Sequence, residues 1–396
     1  MIFIYDMGKI DEKLDIIGRA FTPSTPINET DFFYGRKNQL EQIVNSINLE
    51  GQHAILYGER GVGKTSLANI MTFKITNIYP IKITCNRQDD FKSIWIRVFD
   101  SIPVSHKTDG IGFKPPEKKS VINLGSAIKQ YSEVKPSDIE SLIKKLPRYN
   151  YLFIFDEFDN TKKKVKDSFA DLIKSLSDNL SYVTLVFVGI ADNVEELIGS
   201  HQSIERCLKQ IKMPVMSNQE CAMIIDSGFK KVGITIDPIV REKIIEFASG
   251  YAHYVHLLCY FGAKELIENK RSYFNQAYLS IAINKGIENV NEQIRSSYQK
   301  AITDSKSNAK WLSVLNACAH AKTDQFNCFK ISDVSNEYNR NKVSPIKSNY
   351  ITYNINQLCK KERGEILKKI GTGVNTRFRF INPLMRAFVK LKMHTV

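Results

Sequence analysis

Hydrophobic and polar positions follow two different periods along the chain. Between residues 31 and 216, short apolar runs that suit buried strands are separated by amphipathic segments that suit helices. The apolar runs are, in order, "HAILY" (53–57), "IKITC" (81–85), "YLFIF" (151–155), "VTLVFVG" (183–189) and "KQIKMPV" (209–215). Because strands that alternate with helices pair in parallel, this region predicts an α/β fold: a parallel sheet with helices on both faces.

The strand pattern stops at residue 217, and residues 217–302 read as amphipathic helices that form a helical lid. Residues 308–396 change again: three helical segments precede "GEILKKI" (364–370), the turn "GTGVN" (371–375) and "TRFRFI" (376–381). Three helices followed by a hairpin is the order of a winged helix, a variant of the helix-turn-helix. The sequence therefore predicts a C-terminal winged-helix domain over 308–396.

Two segments fall outside this regular pattern. Residues 1–30 are predicted to form an extended N-terminal arm, because they end in the proline-containing "TPSTPINET" (22–30). Residues 104–134 are mixed and rich in turn residues, with "FKPPEKKS" (113–120) inside them, and are predicted to be an insertion loop.

The first chemical signal is "GERGVGKTS" (58–66), which fits the pattern G-x-x-x-x-G-K-[ST]. It lies between a predicted strand and a predicted helix, which is the context that the motif requires. Glycines let the backbone turn its N–H groups towards phosphate oxygens, Lys64 reaches the β- and γ-phosphates, and the Thr65 hydroxyl is a ligand for Mg²⁺. The predicted nucleotide contacts of this stretch are Gly58, Glu59, Arg60, Gly61, Val62, Gly63, Lys64, Thr65 and Ser66.

The second signal is "YLFIFDEFD" (151–159), in which an apolar strand ends in Asp156 and Glu157. Asp156 is expected to hold Mg²⁺ directly or through water, and Glu157 to orient or deprotonate the attacking water. Acids that end a buried strand are costly unless a positive group meets them. We therefore expect the phosphate loop to lie on a neighbouring strand.

Net charge suggests a partner. The chain carries a net charge of +14, and residues 301–396 hold 17 Lys and Arg against 6 Asp and Glu. A basic terminal block is typical of nucleic-acid binding, although a solvated surface selected for solubility is the alternative.

No run of about 18 apolar residues spans a membrane, and the N-terminus does not read as a signal peptide, so a cytoplasmic protein is expected. The cysteines form no C-x-x-C pair and suggest reduced thiols.

Six segments occur in the order found in AAA+ ATPases, and the chain resembles the origin-recognition-like, STAND-adjacent branch of that family. They are "FFYGRKNQLEQI" (32–43), "GERGVGKTS" (58–66), "YLFIFDEFD" (151–159), "VTLVFVGIADN" (183–193), "HQSIERCLKQIKMP" (201–214) and "GYAHYVHLLC" (250–259). The resemblance covers residues 21–270 well and is weaker for the winged-helix tail. It implies a P-loop AAA+ core at 31–216, ATP and Mg²⁺ as cofactors, and a homo-oligomer.

The resemblance also implies roles for residues outside the two motifs. Phe33, Tyr34, Gly35 and Arg36 match the segment that wraps the adenine, which favours ATP over GTP. Asp192 or Asn193 falls where the polar sensor of the γ-phosphate lies, and the choice between them stays open.

Two further basic residues each have two alternative roles. Arg206 matches the region of the arginine finger, which acts on a neighbouring subunit's ATP; a surface salt bridge is the equal alternative. His253 stands where many relatives have a second sensor arginine, and helix packing is the alternative, because a histidine supplies no permanent charge.

The predicted DNA contacts lie in the tail. The third helix is the expected reader of the major groove, and the hairpin is expected to touch phosphates. The candidates are Lys347, Asn349, Tyr350 and Tyr353 on the helix, and Lys368, Lys369, Arg377 and Arg379 on the hairpin. Lys118 and Lys119 in the insertion loop are a second basic contact.

Two functional hypotheses follow. In the first, the protein is an ATP-hydrolysing AAA+ switch or motor that acts as an oligomer on double-stranded DNA, in replication, transposition or phage defence. In the second, it is an ATP-dependent signalling switch that gates a separate effector protein, and the winged helix is a protein-docking surface.

Overall fold

The computed structural model describes residues 2–27, 33–102, 105–106, 120–121, 124–191, 194–199, 204–289, 292–303, 308–324, 326–340 and 342–393. It contains two compact units. The sheet unit comprises Arg36–Glu59 and Lys64–Met213, and the helical unit comprises Met1–Gly35, Arg60–Gly63 and Pro214–Val396.

The chain begins with α1 (Ile2–Ala20), which belongs to the helical unit. The elements of the sheet unit follow: α2 (Lys37–Ile47), β1 (His53–Gly58), α3 (Lys64–Lys74), β2 (Tyr79–Thr84), α4 (Phe91–Asp100), β3 (Ser105–His106), β4 (Ser120–Val121), α5 (Leu124–Lys129), α6 (Pro136–Ile143), β5 (Tyr151–Asp156), α7 (Lys163–Asn179), β6 (Val183–Ile190), α8 (Glu195–Ile198) and β7 (Leu208–Met213).

The rest of the helical unit is C-terminal. Its elements are α9 (Asn218–Val232), β8 (Thr235–Ile236), α10 (Pro238–Ala248), α11 (Ala252–Glu268), β9 (Tyr273–Phe274), α12 (Gln276–Glu288), α13 (Glu292–Ile302), α14 (Asn308–His320), α15 (Ile331–Asn339), α16 (Ser348–Leu358), β10 (Leu367–Ile370), β11 (Arg377–Phe380) and α17 (Pro383–Met393).

The main sheet has five parallel strands in the order β2-β5-β6-β1-β7. This confirms the predicted α/β fold with a parallel sheet. Gly58 ends β1 and Asp156 ends β5, so both lie at the carboxyl edge of the sheet, where loops of parallel sheets build their sites. The expectation that β1 and β5 are neighbours is wrong, because β6 lies between them. The two motifs still meet, because Thr65 at the start of α3 donates to Asp156 at 3.4 Å.

Aromatic packing fills one face of the sheet. Trp95 of α4, Phe155 of β5 and Phe169 of α7 are buried together, and the rings of Phe155 and Phe169 are 4.7 Å apart. Burial of one such ring stabilises the fold by roughly 2–3 kcal/mol. The first turn of α4 is fixed by a capping box, in which the Asp90 carboxylate accepts the Ser93 N–H at 2.7 Å. The core thus positions the carboxyl end of β5 firmly.

The N-terminal segment differs from the predicted extended arm, because residues 2–20 form α1. Ile17, Ala20 and Phe21 are buried where α1 and the residue after it pack against α9 and α11. The Phe21 ring lies 5.2 Å from that of Phe229, over the backbone of Gly228, where any side chain would collide with it. The prediction of an extended arm gave more weight to the prolines at the end of the segment than to the helical spacing of its earlier residues.

The lid and tail regions contain the predicted helices with some additions. Residues 235–236 and 273–274 form a short parallel strand pair within the lid, where the sequence indicated helices alone. In the tail, three helices precede the antiparallel hairpin of β10 and β11, in the predicted order. The sequence interpretation missed α17, which packs against α10, α12, α13 and α14.

The insertion loop is described only in part. It contains the strand pair β3 and β4 and the helix α5, whereas Lys118 and Lys119 lie outside the described residues. Within the described part of the chain, no helix is long and apolar enough to cross a membrane.

Candidate nucleotide-binding site

The phosphate loop, residues 58–65, turns sharply between β1 and α3. Gly58, Gly61 and Gly63 have φ angles of 150°, 84° and 92°, in the region that favours glycine. A side chain on Gly58 would also lie 2.6 Å from the Met213 carbonyl oxygen of β7. Glycine is therefore required at Gly58 by both conformation and close approach.

The Lys64 side chain folds over the start of the loop. Its Nζ donates to the carbonyl oxygens of Gly58 at 3.0 Å and Glu59 at 2.6 Å. Burial lowers the pKa of Lys64 to about 8, against the opposing influence of Asp159, Asp156 and Glu59. A buried ammonium held by neutral carbonyls is poised to bind a phosphate anion.

The carboxylate of Asp156 is buried and accepts hydrogen bonds from several elements. Its Oδ1 accepts from the Thr65 hydroxyl at 3.4 Å and from the Glu157 backbone N–H at 2.9 Å. Its Oδ2 forms an ion pair with Lys82 Nζ at 2.9 Å. The structure thus brings together the two residues that the sequence predicted as metal ligands.

Lys82 is the positive group that the buried acid needs, and sequence reasoning missed it. It lies on β2, next to β5 in the sheet, and also donates to Asn69 of α3. Lys82 therefore links the carboxylate of Asp156 to the helix that follows the phosphate loop. The available signal was a lone lysine in the apolar alternation of "IKITC" (81–85).

Glu157 combines exposure with an unusual backbone. Its φ of 54° places a non-glycine residue in the left-handed region, which costs about 1 kcal/mol or more. The side chain is exposed, and its Oε2 accepts a weak hydrogen bond from Asn160 Nδ2 at 3.3 Å. This conformation turns the carboxylate away from the sheet core, as an acid that handles water requires.

Asp159 is a second residue that the motif did not single out. Its Oδ1 accepts the backbone N–H of Ile190 at 2.9 Å, so it ties the loop after β5 to the end of β6. The predicted sensors Asp192 and Asn193 come two and three residues after Ile190 in sequence but lie outside the described residues.

The predicted adenine segment precedes α2. Phe33 and Tyr34 are half-buried, and Gly35 has a φ of 78°. A side chain on Gly35 would lie 3.1 Å from Glu220 Cγ. Arg36 is 2% exposed and also has a left-handed backbone, with a φ of 59°.

The other residues of the phosphate loop differ in exposure. Val62 is buried, Glu59 and Ser66 are half-buried, and Arg60 is exposed. Gly61 lies near Tyr251 and Leu384 within the helical unit.

Arg206 and His253, for which the sequence left two roles open, both have partners in this chain. Arg206 forms an ion pair with Asp178 at 2.8 Å, yet its side chain is 73% exposed. His253 Nδ1–H donates to the Pro23 carbonyl at 2.8 Å, and burial lowers the pKa of the ring. The ion pair and the packing contact are the alternatives that the sequence left open.

The predicted DNA contacts of the third helix differ in accessibility. Asn349 and Tyr353 are exposed on α16, and Lys347 is exposed one residue before it. Tyr350 is half-buried, with its ring 6.1 Å from that of Tyr338.

On the hairpin, Lys368 and Lys369 are exposed and Arg379 is half-buried. Arg377 is exposed but forms an ion pair with Asp324 at 2.7 Å. Phe378 and Phe380 are buried, as the predicted alternation of β11 requires.

The donor set near the phosphate loop fits Mg²⁺. A hydroxyl from Thr65 and a carboxylate from Asp156 are hard oxygen ligands, and Mg²⁺ takes few protein ligands alongside phosphates and water. Among the described residues, no three His, Cys, Asp or Glu side chains cluster as a separate metal site.

The parallel sheet, the loop between β1 and α3, and the acids that end β5 define a P-loop NTPase of the AAA+ class. The model of the novel STAND NTPase 1 family matches residues 20–313, and the chain belongs to this family. The AAA+ class expected from the sequence is thereby confirmed.

Comparison with known proteins gives fold-level likeness. No curated protein sequence matches this chain. A Walker-type ATPase of Pyrococcus abyssi is similar in fold, with a TM-score of 0.50 and 13% identity over 93% of this chain and 99% of that one. The ORC2 protein of Aeropyrum pernix, solved in ADPNP–ADP complexes, gives a TM-score of 0.50 and 12% identity over 95% and 98%. At such identity the likeness concerns the fold alone.

Proposed function

We propose that this NTPase hydrolyses ATP and acts as an oligomeric switch on double-stranded DNA in the cytoplasm. The observation that carries the hydrolytic part is the convergence of Lys64, Thr65 and Asp156, with Thr65 Oγ1 3.4 Å from Asp156 Oδ1. These three residue types at one strand edge are what phosphoryl transfer requires.

Each residue then has a defined task. Lys64 binds the β- and γ-phosphate oxygens, and Thr65 and Asp156 hold Mg²⁺, which when bound neutralises charge on the phosphates. Glu157 accepts a proton from the attacking water or orients it, since its carboxylate is exposed. The choice of adenine rests on residues 33–36 and on the adenine nucleotides of the ORC2 protein.

The DNA part rests on the tail. Lys347, Lys368 and Lys369 are exposed, and their region follows the helix–helix–helix–hairpin order of a winged helix. Exposed ammonium groups on such a frame bind phosphates and release counterions. Arg377 contributes less, because Asp324 already neutralises it.

A salt titration with a matched pair of triple variants tests the DNA proposal. Changing Lys347, Lys368 and Lys369 to Ala removes three exposed cations, so the slope of log affinity against log salt becomes shallower by about 2–3. The control changes Lys162, Lys163 and Lys174, exposed lysines at and along α7, to Ala. Fluorescence anisotropy of a labelled duplex measures both. Equal slopes in the two variants would remove the tail as the DNA-binding surface.

One observation favours the second candidate, a switch that gates a partner protein. Val343 is fully exposed and Tyr353 is 62% exposed, and both lie at or near the candidate reader helix. Exposed apolar side chains are more typical of protein interfaces than of phosphate contacts. ATP hydrolysis that a partner protein stimulates and that duplex DNA leaves unchanged would support this candidate against the first.

A further inference from the structure

The helical unit contains a cavity of about 750 Å³ that is separate from the phosphate loop. It lies between α10, α17 and the segment that joins α14 to α15. This volume is in the range of small-molecule sites. Its wall combines apolar side chains with polar ones, and the two residues that α17 contributes are Arg386 and Lys390.

Arg386 and Lys390 are two like charges one helical turn apart. They are 7% and 5% exposed, so both are buried. Burial lowers the pKa of Arg386 to about 10 and that of Lys390 to about 8, and the charge of Arg386 lowers the pKa of Lys390 further. Cations at this spacing repel each other, and burial removes the water that would screen them.

The hydrogen-bond partners of both cations are neutral. Arg386 donates to the carbonyl oxygens of Ala319 and Ala321, to the Thr323 hydroxyl and to the Asn327 side-chain oxygen, at 2.7–3.1 Å. Lys390 Nζ donates to the Glu246 carbonyl oxygen at 3.0 Å. Within the described residues, neither cation has a carboxylate at ion-pair distance.

The cavity wall also carries three acids, Glu242, Glu246 and Asp324. Asp324 pairs with Arg377 and Glu242 with Arg241, each at 2.7 Å. The carboxylates of Glu246 and Glu337 raise the pKa of Lys390 through space without forming an ion pair with it. Among the described residues, the two cations that α17 contributes to the wall therefore remain without an ion pair.

Helix ends explain part of this arrangement. The carbonyls that Arg386 and Lys390 contact lie at the C-terminal ends of α14 and α10, where cations are favourable. Partial charges of that kind stabilise each cation, but they do not neutralise a pair of full charges that also repel each other. Counting only hydrogen bonds to described residues, one guanidinium N–H and two ammonium N–H groups are left for a ligand.

We propose that this cavity binds a phosphate-bearing small molecule, with Lys390 as its direct contact and Arg386 as the second cation behind it. A phosphate carries two negative charges and several acceptor oxygens, which match two adjacent cations with unused donors. The site is additional to the nucleotide site at the phosphate loop.

Calorimetric titration with inorganic pyrophosphate tests the proposal in the full chain carrying Lys64→Ala, which disables the phosphate loop. We expect saturable binding that Lys390→Met weakens about tenfold or more, because one buried charge-assisted hydrogen bond is lost. Lys390→Arg, which keeps the charge, restores binding. Lys322→Met removes an exposed lysine beside the cavity and leaves binding unchanged.

Two results would overturn the proposal: no saturable pyrophosphate binding to the Lys64→Ala chain, or equal binding in its Lys390→Met derivative. The first result needs no cavity variant, so it decides the matter even if Lys390→Met does not fold. Orthophosphate and a nucleoside monophosphate then distinguish the source of the phosphate, because the tighter probe identifies a free ion or an organic ester.

Discussion

Glu157 shows how one residue can combine strain with function. Among the five residues Gly58, Lys64, Thr65, Asp156 and Glu157, only Glu157 is a non-glycine residue with a left-handed backbone. A strained conformation persists where surrounding structure holds it, and here β5 and the turn after it do so. The left-handed backbone costs conformational free energy, and it holds the carboxylate where it faces solvent.

Glu157→Gln keeps the volume of the side chain and removes its basicity. We expect ATP affinity to stay within about twofold, while steady-state hydrolysis falls about 10²-fold or more. Fluorescence binding and a phosphate-release assay measure the two quantities. Glu195→Gln, at an exposed acid in the same unit, is the control. A variant that hydrolyses ATP as fast as the parent would contradict the role given to Glu157.

Lys82 matters for stability as well as for the site. Lys82→Met leaves the buried carboxylate of Asp156 without its ion pair, so we expect the free energy of unfolding to fall by about 2–3 kcal/mol, discounted for the partial exposure of Lys82. Urea unfolding measures the change, and Lys74→Met, at an exposed lysine of α3, is the control.

A double variant separates the charge from the packing of Lys82. Adding Asp156→Asn to Lys82→Met removes the unpaired charge, so part of the lost stability returns. If the double variant is as unstable as the two single changes together, the ion pair contributes nothing and Lys82 acts through packing.

At the scale of elements, buried histidines stabilise contacts between secondary structures only while neutral. His53 starts β1, and its Nδ1 accepts the Leu185 N–H of β6 at 3.0 Å. His256 lies on α11, with its ring 6.1 Å from Phe21, next to α1. Burial lowers the pKa of each ring to about 4 from an ordinary value of 6.5.

The sign of the pH effect follows from these values. Between pH 6.5 and pH 4 the unfolded chain binds protons that the folded chain does not. The free energy of unfolding is therefore unaffected by these histidines above pH 6.5 and falls as the pH drops towards 4. Each histidine contributes about 1.4 kcal/mol per pH unit in that window. His256→Leu should reduce the loss of stability between pH 7 and pH 5, as measured by urea unfolding. Identical losses in parent and variant would exclude His256 as a source.

At the scale of the whole molecule, α17 changes how the tail is to be tested. It packs against α10, α12 and α13, and the Tyr254 hydroxyl of α11 donates to the Leu384 carbonyl at 2.8 Å. Deleting residues 308–396 would uncover apolar surface of the lid, so loss of DNA binding by a truncated chain would be ambiguous. Surface charge substitutions leave that packing intact.

Assembly is the second whole-molecule question. If Arg206 acts on a neighbouring subunit, Arg206→Ala lowers turnover about 10²-fold or more with little change in ATP affinity. Mixing Arg206→Ala chains with Glu157→Gln chains then restores part of the activity, because some interfaces combine an intact finger with an intact base. Asp178→Asn, which breaks the ion pair of Arg206 alone, is the control. No recovery on mixing would favour the salt-bridge reading.

The sequence by itself determined the parallel α/β fold, the phosphate loop and the acids Asp156 and Glu157. A short stretch of sequence specifies each of them, through strand periodicity, glycines at fixed spacing, or acids directly after an apolar run. The three helices and hairpin of the tail were also predictable, because their periods change within a few residues.

Only the tertiary structure decided which distant residues meet. The partner of Asp156 is Lys82, far earlier in the chain, and the strand order that joins them is not encoded in either segment. The same holds for the buried cations Arg386 and Lys390, whose neutral partners come from the end of α14, the segment after it and α10. Local patterns specify elements, but the charge balance of a buried site depends on which elements pack together.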